Sequence, residues 1–174
     1  MMDYVDFYTG RYNRELQRRF DLDDALNIPI GLIAILIAAA SFIVSNINVC
    51  DGPIFFWTVL ILTLISVICI LSAIVFLALS YNNMFVGFKY KNFEASSEWR
   101  DFQKQVESHN KQHPEDMIDF ENEFIKKLNL YTDSHSNINN GRQKKLRDAK
   151  SFIILSLIFL LAALIMVVIK KYLI

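Results

Sequence analysis

Charge and apolarity are segregated along this chain rather than interleaved. Three windows hold no Asp, Glu, Lys or Arg: 25–50, 52–88 with its apolar heart at 53–79, and 151–169 between Lys150 and the Lys170–Lys171 pair. A helix needs about 20 apolar residues to cross roughly 30 Å of hydrocarbon, and each window reaches that length, the third narrowly. A buried core helix in a soluble domain requires less. The pattern predicts an all-α integral membrane protein with three transmembrane helices, an N-terminal amphipathic helix and a helical cytoplasmic region. The expected parts are an amphipathic helix over 1–24, a hairpin over 25–80 with spans 25–47 and 53–80, a helical region over 81–149, and a third span over 150–172. Pro29 falls near the start of the first span, where a missing backbone donor is tolerated, so it marks a helix start or a kink.

The segments between the windows show helical periodicity. Val5, Tyr8, Tyr12, Leu16 and Phe20 recur at spacings of three and four, while Arg11, Arg14 and Arg18 take another face. Gly10 weakens that helix. Residues 97–109 put Trp99, Phe102 and Val106 on one side, and Pro114 ends the run or forces a turn. Residues 115–131 carry Met117, Phe120, Phe124, Leu128 and Tyr131 as one stripe, with Glu115, Asp116 and Asp119 crowding the first turn, as the helix dipole favours. The following stretch is expected to run as helix into the third span, with Gly141 and the asparagines as possible kinks. Phe85, Phe88, Tyr90 and Phe93 among lysines suit either a membrane interface or packing against the helices.

Composition agrees with a bilayer solvent. Of 174 residues, 53% are hydrophobic and 21% charged, an apolar share high for a soluble domain of this size. Net charge is zero, so no global basic field attracts nucleic acid, and duplex DNA binding is not expected. The distribution of charge is more informative than its sum. Region 81–150 holds twelve basic residues and 1–24 holds four, whereas the link Asn46-Ile47-Asn48-Val49-Cys50-Asp51-Gly52 holds none. The positive-inside rule then puts the N-terminus and 81–149 in the cytoplasm and the link on the far side of the membrane. Lys170 and Lys171 end on the far side, where they can snorkel to the interface. The first 24 residues are charged and polar, so no cleavable signal peptide is expected.

The first span has a face of small and polar residues: Asn27, Gly31, Ala34, Ala38, Ser41 and Ser45. Small residues let backbones approach closely and drive helix association in lipid. The second span has a looser stripe of Thr63, Ser66, Ala73 and Ser80. Spans one and two are therefore expected to pack tightly, with span three more lipid-facing. Two readings fit the small faces: packing within the hairpin, or a homo-oligomer whose faces line a pore. No span contains an ionisable Asp, Glu, Lys, Arg or His, which argues against a proton-coupled or ion-coupled carrier and leaves passive permeation or assembly. The Arg11, Arg14, Arg18 stripe and the cluster Arg142, Lys144, Lys145, Arg147 are candidate anion or ligand contacts for lipid headgroups or nucleotides; the plainer reading is solvated, orienting charge.

Catalytic signatures are missing. The chain has no glycine-rich phosphate loop and no GxSxG, HExxH or CxxC motif, and the expectation is a protein that is not an enzyme and needs no cofactor. His109 and His113 with Glu115 make a partial metal set interrupted by Pro114, so no metal site is expected. His135, in a Ser/Asn-rich stretch, is expected to face water. Cys50 and Cys69 are placed too differently for an intrachain disulfide.

Three features carry a resemblance: the charged-aromatic segment Tyr8-Thr9-Gly10-Arg11-Tyr12-Asn13-Arg14-Glu15-Leu16 leading into Leu26-Asn27-Ile28-Pro29-Ile30-Gly31, the tight hairpin of spans one and two, and a long helix carrying Leu130-Tyr131, Asn137, Asn139 and Arg142. In these the chain resembles the two-transmembrane or SLATT-type membrane effectors of bacterial anti-phage defence, found beside nucleotidyltransferases, retron reverse transcriptases and related sensors. The third span departs from a strict two-span plan. The resemblance implies an abortive-infection effector, idle in the inner membrane until a cytoplasmic sensor protein or a nucleotide or oligonucleotide signal reaches it, which then oligomerises and leaks ions. The alternatives are a non-toxic scaffold or accessory subunit of a membrane complex, and a nucleotide-sensing membrane protein.

Overall fold

The computed structural model describes residues 4–48, 52–81, 89–93 and 96–173, and these hold helices and no strand. The elements are α1 (Tyr4–Asp24), α2 (Asn27–Ser45), α3 (Pro53–Ser80), α4 (Ser96–Gln112) and α5 (Phe120–Leu173). Three helical stretches, Tyr4–Ser45, Pro53–Ser80 and Phe120–Lys171, are long and apolar enough to cross a membrane.

Local chemistry sets the helix ends. Ala25 and Leu26 form a turn between α1 and α2, and Leu26 N–H reaches back to the Asp23 carbonyl at 3.3 Å. Pro29, three residues into α2, lacks the donor that would continue the α1 ladder, and sits in the first turn where that donor is dispensable. Gly52 takes φ 98° ahead of Pro53, a left-handed conformation that a Cβ would strain. Helix α5 begins at Phe120 rather than 115. Asp119 Oδ1 accepts from the backbone N–H of Glu121 at 3.0 Å and of Asn122 at 3.3 Å, an N-cap that holds the first turn. The Glu115 and Asp116 expected in that turn lie before it, in the bend after Pro114. Gly141 is helical and α5 runs through it.

The chain forms two compact units, Met1–Asp21 with Phe88–Asn140, and Leu22–Gly87 with Gly141–Ile174. In the second, α2, α3 and the C-terminal part of α5 share one apolar core, which includes Ile33, Leu36, Ile43, Val59, Ile70, Ile153 and Leu160. In the first, Tyr12, Leu128 and Tyr131 are buried, with Tyr8, Leu16, Phe93 and Phe124 packed on them.

The buried positions obey one spacing rule. In α2 and the turn before it they are Leu26, Pro29, Ile33, Leu36, Ala40 and Ile43. In α3 they include Val59, Thr63, Ser66, Ile70, Ala73, Leu77 and Ser80. In α5 they include Leu128, Thr132, His135, Asn139, Arg142, Leu146, Ala149, Ile153, Ser156, Leu160, Ala163 and Val167. Steps of three and four alternate throughout, the seven-residue repeat of left-handed helix packing.

That register corrects two expectations. Asn27, Gly31, Ala34, Ala38, Ser41 and Ser45 are all exposed, because α2 packs through its larger aliphatic residues one step around the helix. A Cβ added at Gly31 would meet nothing within 4 Å, so close approach within this chain does not require that glycine. Nor is the apolar part of α5 set apart from the core. The Ser66 hydroxyl lies 2.7 Å from the Ser156 hydroxyl, Phe76 stacks on Phe152 at 5.5 Å, and Ala163 is fully buried. The small residues that meet between α3 and α5 are Ser66 and Ser156, and Ala73, Ala149 and Ala163 are buried in the same core.

Candidate functional site

Each unit holds a cluster of buried polar groups drawn from α5. In the unit of Leu22–Gly87 and Gly141–Ile174 the centre is Arg142, whose side chain is 0% exposed against 40% for its partner Asp23. Arg142 pairs with the Asp23 carboxylate. Its Nε–H donates to the Ser80 carbonyl at 2.9 Å, and the Ser80 hydroxyl donates back to the Arg142 carbonyl at 3.1 Å. One turn on, Lys145 Nζ donates to the Leu79 carbonyl at 3.3 Å. Leu79 and Ser80 end α3, whose last carbonyls lack partners within the helix and carry the negative end of its dipole. Arg142 and Lys145 thus close the end of α3. A buried guanidinium costs several kcal/mol in lost hydration unless it is paired and hydrogen-bonded, and these contacts meet that need.

In the other unit the cluster is built around Asn139. Its Nδ2 donates to the Glu15 carbonyl and to Glu15 Oε2, both at 2.9 Å. Its Oδ1 accepts from the Tyr90 hydroxyl at 2.8 Å. Arg18 donates to Asn140 Oδ1 at 2.8 Å and lies 3.5 Å from Glu15, while Arg19 sits over the Tyr90 ring at 4.5 Å. His135 is fully buried, against the expectation that it faces water. Its ring packs on Tyr12 and Tyr90, its Nε2 lies 2.8 Å from the Lys91 carbonyl, and its Nδ1 is buried without a hydrogen-bond partner. Residues 89–93 are thereby fastened to α5 through Tyr90, the Lys91 carbonyl and Phe93, whose ring meets Tyr12, Phe124 and Tyr131.

The sequence-predicted residues therefore separate. Arg11 and Arg14 are exposed on α1, as are Lys144 and Arg147 on α5. Arg18, Arg142 and Lys145 are engaged by protein oxygens. Thr63, Ser66, Ala73 and Ser80 are buried. Ser41 donates to Ile37, Ser45 to Ser41 and Thr63 to Val59, each to the carbonyl one turn back at 2.8–2.9 Å. They line a groove of about 450 Å³ between α2 and α3. Phe20 leaves the α1 stripe and is 57% exposed, being one position off the buried register. His109 Nε2 lies 3.0 Å from the Asp116 carbonyl, and among the described residues no three metal-ligating side chains converge. Phe85, Phe88 and Cys50 lie outside the described residues.

The buried polar run His135, Asn139, Arg142 was missed as a unit. The signal was present: its spacing of four and three continues the apolar stripe from Leu128 to Leu146. Comparison with family models, characterised proteins and solved structures finds no match to this chain.

Proposed function

We propose that this is a multi-pass membrane protein that self-associates through the exposed face of α2 and permeabilises the membrane when a cytoplasmic signal or partner engages its polar, helical region. The N-terminus and 81–149 lie in the cytoplasm of a bacterial inner membrane in this reading. The observation that carries it is the face Asn27, Gly31, Ala34, Ala38, Ser41, Ser45, which α2 leaves uncovered while it packs through Pro29, Ile33, Leu36, Ala40 and Ile43. In lipid, such a face favours another helix over acyl chains, because small side chains bring backbones into dispersion contact. The absence of charge from the three apolar stretches fits passive leakage rather than coupled transport. The resemblance to anti-phage membrane effectors supplies the rest of the reading: a dormant state, a trigger and an abortive outcome.

A second reading, a non-toxic scaffold of a membrane complex, is favoured by the serine and threonine hydroxyls. Ser41, Ser45 and Thr63 donate to their own helix carbonyls, which suits a dry contact better than a wetted wall. Induced expression in bacteria with a membrane-potential dye separates the two. Depolarisation that rises with induction, alone or with neighbouring genes, is expected. Full potential under both conditions, with the protein inserted, leaves the scaffold.

A further inference from the structure

Helix α4 and the start of α5 enclose a cleft of about 480 Å³ lined by Glu98, Trp99, Phe102, Glu123, Lys126 and Leu130, with Lys127 beside them. The Trp99 ring is fixed by aromatic neighbours. Phe93 lies tilted against it at 5.6 Å, and Phe102 and Phe124 meet it edge-on at 5.8 and 5.0 Å. The Lys127 ammonium lies over the ring, 5.0 Å from its centroid. Trp99 Nε1 is buried without a hydrogen-bond partner, so this indole is held by packing and by the cation rather than by its donor. Two carboxylates border the cleft, Glu98 on the α4 side and Glu123 on the α5 side, and Glu123 holds the Lys126 ammonium at 2.5 Å.

We propose that this cleft binds an organic alkylammonium, with Lys127 occupying the cation position as an internal competitor. The chemistry is specific on three counts. An indole face attracts a cation through its quadrupole, most strongly among the aromatic side chains. Glu98 at the rim compensates a charge brought in with methyl groups, while Glu123 is already paired with Lys126. Phe102 and the exposed Leu130 offer apolar wall for methylene or methyl carbons, which a bare metal ion would not use. The site lies within one unit and is independent of what the apolar helices do.

The chain has two tryptophans, Trp57 and Trp99. Full-length Trp57→Phe protein in non-ionic detergent therefore reports on Trp99 alone. Titration with spermidine and with choline is expected to give a saturable change in emission that sodium chloride at matched ionic strength does not. Tighter spermidine binding marks a soluble polyamine as the ligand, and tighter choline binding marks a quaternary headgroup; both support the site. Adding Lys127→Met removes the competitor and should lower the half-saturating concentration about threefold, in line with an exposed cation–π contact. Glu98→Gln with Glu123→Gln should raise it by a similar factor. No saturable change in either the single or the Lys127→Met background overturns the proposal, as does a half-saturation indifferent to Lys127.

Discussion

Arg142 and Asp23 form an unequal pair, and the inequality decides what each substitution costs. Arg142 is wholly buried, while Asp23 keeps 40% of its side-chain exposure. Asp23→Ala takes the carboxylate away from a wholly buried guanidinium, a loss towards the lower end of the about 3–5 kcal/mol typical of a broken buried pair, because Asp23 is partly in solvent. Arg142→Met removes the buried charge, leaves Asp23 to solvent and retains most of the packing volume. It gives up the bond to the Ser80 carbonyl, worth about 1.5–3 kcal/mol as a charged contact. Thermal unfolding in detergent should therefore rank Asp23→Ala as the less stable variant, with the double variant better than Asp23→Ala alone. Equal losses would mean that the pair is not the main support of the α3 end. The same reasoning explains why the sequence misled here. Arg142 stands in a basic run with Lys144, Lys145 and Arg147, and such runs are usually solvated. Only its register, seven residues after His135 and four before Leu146, set it apart from its neighbours.

Helices α2 and α3 and the apolar part of α5 after Lys150 show what is legible in an almost wholly apolar segment and what is not. Their existence and type follow from length and from the lack of charge. Which face packs does not, because an all-apolar helix has nearly no amphipathic contrast to read. In α2 two faces competed: a row of small residues and a row of aliphatic ones. The chain buries the aliphatic row and leaves the small one outside. The polar stretches carried clearer contrast, and Tyr8, Tyr12, Leu16, Phe124, Leu128 and Tyr131 do pack as one cluster. His135 and Asn139 were not legible as core because polar identity outweighed their position. This division between faces is testable. Ala163 is fully buried, and Ala163→Leu should overpack the core at a cost of about 1–3 kcal/mol. Ala38→Leu lies on the exposed face and should leave unfolding of the single chain unchanged while weakening self-association. A detergent sedimentation profile unaffected by Ala38→Leu and Gly31→Leu would remove the α2 face from the proposed function.

At the scale of the whole molecule the question is orientation, and the chain carries its own probes. Cys50 sits in the link between the first two apolar stretches, and Cys69 is a free, buried residue of α3. The link has no basic residue, whereas 81–150 has twelve, and the positive-inside rule predicts opposite faces of the membrane for them. A membrane-impermeant maleimide added to intact spheroplasts should label Cys50, and Cys50→Ala should abolish the signal, since core packing shields Cys69. Asn137 is exposed on α5. In a Cys50→Ala background, Asn137→Cys should label only after the membrane is opened. The two probes make the outcome unambiguous. Labelling of both from outside would mean a leaky or uninserted protein. The reverse pattern would put the helical region outside the cell, where no cytoplasmic trigger could reach it. The expected pattern puts α4 and the polar half of α5 on the side where a trigger must arrive. The same α5 carries a seven-residue register of buried positions from Leu128 to Val167.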